Sequence, residues 1–411
     1  MLSPISRYGT RVIPNTVQTI AAMRERGTLV RGPEIADFER AFADRAGARH
    51  AITASYGRMA FWYLLKAFDL PQGSEIVFPA LTFWVIPELA RVAGFSPVFA
   101  DVNPRTFTID PCAIERVITP RTRAIVPTHL YGLPCDMQPI LEIARRHGLV
   151  VVEDCAHALG ASWNGQPVGT IGDAGFFSLQ LLKPLNTYGG GVAVTNDEAI
   201  ARTVRSLAEA EPWPSENEVM KKMWLGRFER VVIRRDIFKW SLYPILWVAS
   251  YLQANPDVYL WDRIKPLDRF PPSYRQRYTN VQAAIGLEGL KHLDAWTCRT
   301  VAHASAMTAA LASTPVETPT LAEDRTHVFY QYAVYASRRD EVVKYCVRHG
   351  IDVETLHVDV CTRLPLFGNG HAPAPGAERA AQAIQVPVYA DLTDADISSI
   401  ARTLGEAAEY A

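Results

Sequence analysis

The sequence predicts an α/β protein with a large domain built on a mostly parallel central sheet and a smaller C-terminal α+β domain. Two observations carry this. Between about residues 30 and 210, short β-branched runs alternate with helical patterns, as βα units around a parallel sheet require. Beyond about residue 286 the pattern changes to a strand, a helix and a closing helix. A chain of 411 residues accommodates both units at roughly 100–200 residues per domain. The division is placed at 1–285 and 286–411, with an unusual basic and aromatic insertion at about 212–270.

The elements follow in chain order. Strands are expected at Ala51–Ala54, Glu75–Phe78, Pro97–Ala100, Ala124–Pro127, Leu149–Val152 and Gly191–Val194, all short and apolar. Helices fall between them, among them Gly57 to Phe68 and Met137 to His147, each ending near Gly or Pro. The C-terminal unit offers a strand over Val328–Val334, a helix from Asp340 to His349 and a last helix after Asp391-Leu392-Thr393.

Composition narrows the function. Apolar residues make up 48% and charged residues 21%, enough for large cores. Lys and Arg total 42 against 43 Asp and Glu, so no overall field collects nucleic acid. The six cysteines (Cys112, Cys135, Cys155, Cys298, Cys346, Cys361) form no CxxC or Cys/His pairing, which reads as reduced thiols of a cytoplasmic protein without a metal site. The first residues lack the apolar stretch of a signal peptide, and no run of about 18 apolar residues spans a bilayer.

Chemistry concentrates at four places. Val151-Val152-Glu153-Asp154 ends a buried-strand pattern in two acids, and the C-terminal end of a parallel strand faces the crevice where ligands bind. Asp154 is therefore a site candidate, though a strand-end Asp serves equally as a helix N-cap. Lys183 lies in an apolar context after Gly175-Phe176-Phe177-Ser178 and before Gly189-Gly190-Gly191. Alone it reads as a solvated loop lysine; desolvated, it would have a depressed pKa and serve as a Schiff-base nucleophile. The glycines suggest close backbone approach to a ligand. Finally, Ser55-Tyr56-Gly57-Arg58-Met59 joins a strand to a helix, either a plain turn or a helix start whose amides favour a phosphate.

In this order the signals resemble the DegT/DnrJ/StrS-type sugar aminotransferases, pyridoxal 5'-phosphate (PLP) enzymes of fold type I. The resemblance runs from Val30-Arg31-Gly32-Pro33 to Leu392-Thr393-Asp394. It is strongest at Pro79–Phe83, Thr128–Gly132, Glu153–Ala161, Gly172–Ser178 and Tyr278–Leu287. It implies that Lys183 is the Schiff-base lysine and Asp154 the partner of the pyridinium nitrogen. Phe83 would stack on the ring, Gly57, Arg58, Met59 and Ser178 would cradle the phosphate, and His157 would lie beside the phenolic oxygen. Arg277 would reach the phosphate of a neighbouring subunit, so a homodimer with shared sites is implied. His129, Tyr131, His327, Tyr330 and His357 lie in blocks that border the family's substrate pocket, where any of them equally reads as core.

Departures from the family pattern are visible. Arg58 replaces a threonine, His157 stands where Gln is common, and the stretch between Arg205 and Arg277 is far longer than the family needs. That stretch collects Lys221, Lys222, Arg227, Arg230, Arg234, Arg235 and Lys239, then the apolar run Ile237–Leu252, with Trp213, Trp224, Trp240, Trp247 and Trp261. It reads as a helical insertion packing on the dimer or over the site, as a peripheral membrane contact through 221–252, or as a wall for a substrate with a lipid or aromatic part. The function that the resemblance implies is transfer of an amino group from an amino acid donor such as L-glutamate to a keto-sugar, in this family most often linked to a nucleotide diphosphate. The alternatives are a carbocyclic or lipid-linked ketone at a membrane surface, and a non-catalytic PLP-binding regulatory protein.

Overall fold

A computed structural model describes residues 4–9, 11–252, 264–355 and 358–410. Its centre is a seven-stranded sheet in the order His50–Ala54, Gly191–Thr195, Ala174–Ser178, Val150–Asp154, Thr122–Ile125, Glu75–Pro79, Ser96–Ala100. The last five of these strands run parallel, and Gly191–Thr195 is antiparallel to both its neighbours. All six expected strands are present within one or two residues. The strand Ala174–Ser178 was not expected, because Gly175 and the paired Phe176 and Phe177 hide its alternation.

The sheet is apolar on both faces, as a sheet covered by crossover helices must be. Phe176 packs into the core beneath helices Gly57–Ala67, Val85–Val92 and Glu198–Ala210, whereas Phe177 joins the opposite core with Phe38, Phe42 and Leu293. Val152 and Val151 divide between the two faces in the same way. The helix expected over Met137 to His147 has those bounds and stops at Gly148, whose φ of 63° is the left-handed C-cap conformation.

A separate apolar cluster forms the C-terminal unit, from Met307, Leu311, Tyr332, Val334, Val342, Ile384, Ile400 and Leu404. Its strands Tyr332–Val334 and Ile384–Val386 pair antiparallel, so only the end of the expected strand over 328–334 is regular. One helix, Asn280–Leu311, serves both units: Val281, Ile285 and Leu293 pack in the large unit and Ala304, Met307 and Leu311 in the small one. The expected division at 285/286 falls within this helix. Ile5 also belongs to the small cluster, and Arg7 pairs with Asp352 at 2.6 Å in a nearly buried contact.

Among its described residues the insertion carries helices Glu216–Ile233, Arg235–Phe238 and Tyr243–Tyr251. The first begins with a capping box between Ser215 and Glu218. Val219 and Met223 pack on Ile20 and Met23 of helix Thr16–Glu25, while Phe238, Tyr243 and Leu246 pack on Val347. Trp224, Phe228 and Trp240 stay 64%, 66% and 72% exposed. Among the described residues no helix is long and apolar enough to cross a membrane. Trp261 lies outside the described residues.

Candidate active site

At the C-terminal ends of the parallel strands lies a cavity of about 340 Å³, lined by Gly57, Arg58, Phe83, Asp154, His157, Ser178, Lys183 and Tyr330 among others. Chain topology brings them together: Asp154 and Ser178 end adjacent strands, Gly57 opens a helix, and Lys183 sits on the loop after Ser178. This is the crevice position that open α/β sheets give to ligands.

The helix start is built into the sheet edge. A Cβ on Gly57 would come within 3.0 Å of Ser178 Cβ and 2.9 Å of the Phe177 carbonyl oxygen. A Cβ on Gly191 would lie 2.3 Å from the Gly57 nitrogen, so the glycine run approaches the helix start itself rather than open space. Met59 donates its N–H to the Tyr56 carbonyl at 3.0 Å and its side chain is buried, which leaves the Gly57 and Arg58 end of the helix facing the cavity. The Arg58 guanidinium lies 4.9 Å from the Tyr274 ring centroid, 5.3 Å from Tyr56 and 5.8 Å from Phe83, and donates to the Tyr274 hydroxyl. That aromatic frame fixes a cation where an anion would be held.

Lys183 is positioned by a laced loop. Its N–H donates to Gln180 O at 3.0 Å, Asn186 Nδ2 to Leu181 O at 2.7 Å, and Gln282 Nε2 to Gly189 O at 2.8 Å and Thr187 O at 3.2 Å. Gln282 also closes the capping box on Thr279, which explains the 278–287 block. Burial lowers the Lys183 amine to about 8, against the opposing pull of Asp154. Burial likewise raises the Asp154 carboxyl to about 6, although the Ala156 N–H donates to its Oδ1 at 3.0 Å and Lys183 favours its charge. The N-cap-like bond and the site position thus coexist at Asp154.

His157 and Tyr330 form one wall, stacked at 4.1 Å. The Tyr131 N–H donates to His157 Nδ1 at 3.4 Å, and Lys183 Nζ lies 4.8 Å from the Tyr330 ring centroid and 3.5 Å from its hydroxyl. Of the other residues expected to border the substrate, His129, Tyr131 and His327 lie outside this cavity's lining. His129 is fully buried behind Asp154, its Nε2 2.9 Å from Glu153 and its Nδ1 accepting from the Cys135 N–H at 3.0 Å. Those partners assign the proton to Nε2. Glu153 accepts three more bonds, from Gly169, Ile171 and Gly172 N–H, so this cluster is a core staple. Tyr131 lies behind His157 with its hydroxyl accepting from Gln385 at 3.1 Å. His327 is buried, accepts from the Phe329 N–H at 3.1 Å, and is held by burial at a pKa of about 3. His357 lies outside the described residues. Arg277 is not part of this cavity's lining: its guanidinium stacks 4.1 Å from the Trp213 ring centroid.

Sequence reading missed Tyr56, Gln180 and Glu229, all of which line the cavity. Tyr56 and Gln180 sit beside flagged residues, but Glu229 comes from the insertion, and no local pattern points to it.

The site's residues fit the group that the resemblance implies. The cavity lies within the roughly 300–1,000 Å³ range of small-molecule sites, and combines a helix start, a fixed cation, a desolvated amine and a buried carboxyl. The sequence profile of the DegT/DnrJ/EryC1/StrS aminotransferase family matches residues 12–227 and 251–405. GDP-perosamine synthase of Caulobacter vibrioides is 32% identical over 394 residues, covering 91% of this chain and 90% of that protein. A pleiotropic regulatory protein of Geobacillus stearothermophilus is 30% identical over 410 residues, covering 98% and 96%. Among solved structures, S. venezuelae DesV in complex with a ketimine intermediate superposes with a TM-score of 0.79 at 27% identity, covering 99% of each chain. With this cavity, this sheet order and these matches, the chain belongs to the DegT/DnrJ/EryC1/StrS aminotransferase family and is a pyridoxal-phosphate-dependent aminotransferase.

Proposed function

We propose that the protein transfers the amino group of L-glutamate to a nucleotide-linked keto-sugar. The observation that carries the reading is the shared cavity of Lys183 and Asp154, an amine with a pKa lowered to about 8 and a carboxyl raised to about 6 beside a helix start. Similarity to GDP-perosamine synthase supports the nucleotide-linked sugar.

Pyridoxal phosphate, when bound, supplies a carbonyl that captures amines and a ring that takes up the electron pair of a broken Cα–H bond. In this reading Lys183 supplies the amine that holds the cofactor and afterwards carries a proton to and from Cα, a task suited to a group that titrates near neutrality. Asp154 would hold a proton on the ring nitrogen, and a cation there would favour its ionised form. Gly57, Arg58 and Ser178 would hold the phosphate, and Phe83 and His157 would line the ring's site. Met59 contributes through the packing of the helix start.

The reading includes a homodimer in which Arg277 completes the partner's phosphate site, supported by its position away from its own chain's cavity. The exposed Trp224, Phe228 and Trp240 favour burial of the insertion against another surface. Flotation with anionic liposomes, beside sedimentation of the free protein, separates a membrane contact through 221–252 from a subunit contact.

The deciding experiment is the visible absorbance of the purified protein before and after excess L-glutamate, beside Lys183→Ala. Conversion of the cofactor band in the native protein alone supports the donor step. A band that never responds to amino donors favours a regulatory role, the reading that the name of the Geobacillus relative brings in. Turnover with GDP-, UDP- and TDP-linked keto-sugars then identifies the acceptor.

A further inference from the structure

The matched family profile leaves out residues 228–250, yet one side chain from that segment, Glu229, lines the cavity. The helix that carries it is locked onto the loop that carries Lys183. Gly226 lets the helix approach Tyr188, where a Cβ would lie 2.4 Å from Cδ1. Arg230 donates to the Tyr188 hydroxyl at 3.2 Å and to Arg11 O at 2.7 Å, and Arg11 donates to Pro184 O at 3.0 Å. Lys222, one turn before Gly226 on the same face, lies against Gly189 with its ammonium 5.3 Å from the Tyr56 ring centroid. These contacts fix the helix face and bring Glu229 to the cavity's mouth.

The Glu229 carboxylate receives no hydrogen bond or ion pair from any described residue, and partial burial raises its pKa. A carboxylate in that condition offers only acceptors. It favours a ligand bearing O–H donors and disfavours an anionic diphosphate.

We propose that Glu229 is a specificity residue for the amino acceptor, accepting hydrogen bonds from the hydroxyl groups of its sugar ring, with the nucleotide diphosphate lying away from it. This rests on the nucleotide-linked keto-sugar reading above. It makes the insertion part of the substrate site, since Arg230 and Gly226 set the position of Glu229.

The test measures binding of matched probes, GDP with GDP-mannose, UDP with UDP-N-acetylglucosamine and TDP with TDP-glucose, to the cofactor-loaded native protein, Glu229→Gln and Glu229→Ala. Retention of the cofactor band shows that each variant folds and loads. For the pair that binds, Glu229→Ala should weaken the nucleotide-sugar about tenfold to hundredfold and the bare nucleotide less than about twofold, with Glu229→Gln between. Equal effects on both members of the pair, tighter binding of the bare nucleotide, or no effect on either overturns the assignment, whatever happens to subunit association. If no pair binds the native protein, the nucleotide-linked reading fails and this one with it; the donor response to L-glutamate is a separate readout that survives either failure.

Discussion

Asp154 and Lys183 face one cavity from a strand end and a neighbouring loop, and burial moves their pKa values toward each other, to about 6 and about 8. Each is the main favourable influence on the other's charge that the cofactor-free site offers beyond the Ala156 N–H.

The first consequence is a pH profile. A carboxyl raised from its unfolded value contributes stability that is present below about pH 4 and lost as pH rises through about 6. An amine lowered to about 8 imposes a cost below that pH which disappears as pH rises toward about 10. The contribution of this pair to the stability of the cofactor-free protein should therefore be lowest between about pH 6 and 8. Asp154→Asn should remove the acid limb and stabilise the cofactor-free protein above pH 6 by about 1–3 kcal/mol, while abolishing turnover. Urea unfolding across pH checks this; an unchanged acid limb in the variant refutes it.

Lys183→Ala should lose the lysine-bound cofactor band and reduce turnover about a thousandfold or more, with thermal stability near that of the native protein. A large loss of stability would mean that the amine is structural. Absorbance and calorimetry on one preparation decide.

Gly191→Ala should destabilise by about 2–3 kcal/mol and weaken cofactor retention, because the new methyl has only the backbone of Tyr56 and Gly57 to displace. Dialysis against cofactor-free buffer, beside a melting curve, measures both effects. Normal retention would show that the helix start can yield.

Glu153→Ala should cost about 3–5 kcal/mol, since it leaves the N–H groups of Gly169, Ile171 and Gly172 and the His129 Nε2 without their acceptor. His129→Ala should also lower stability but leave the acceptor KM within about twofold, as expected of a core position. A selective rise in that KM would return His129 to the substrate site.

The sequence by itself determined six of the central sheet's seven strands, the order of the chemistry-bearing blocks and the family, because strand period, apolar runs and short motifs are local properties of the chain. It marked Asp154, Lys183, Ser178, Gly57 and Phe83, of which Asp154, Ser178 and Gly57 lie at element ends where a βα pattern already places ligands. Only tertiary structure decided which of the block residues face the cavity. Tyr330 lines it, while His129 and His327 turn into the core, because burial depends on what packs from elements far away in sequence. The same reason hid Glu229: its place is set by Gly226 on Tyr188 and Arg230 on Arg11, contacts across a gap of sequence that no local pattern records.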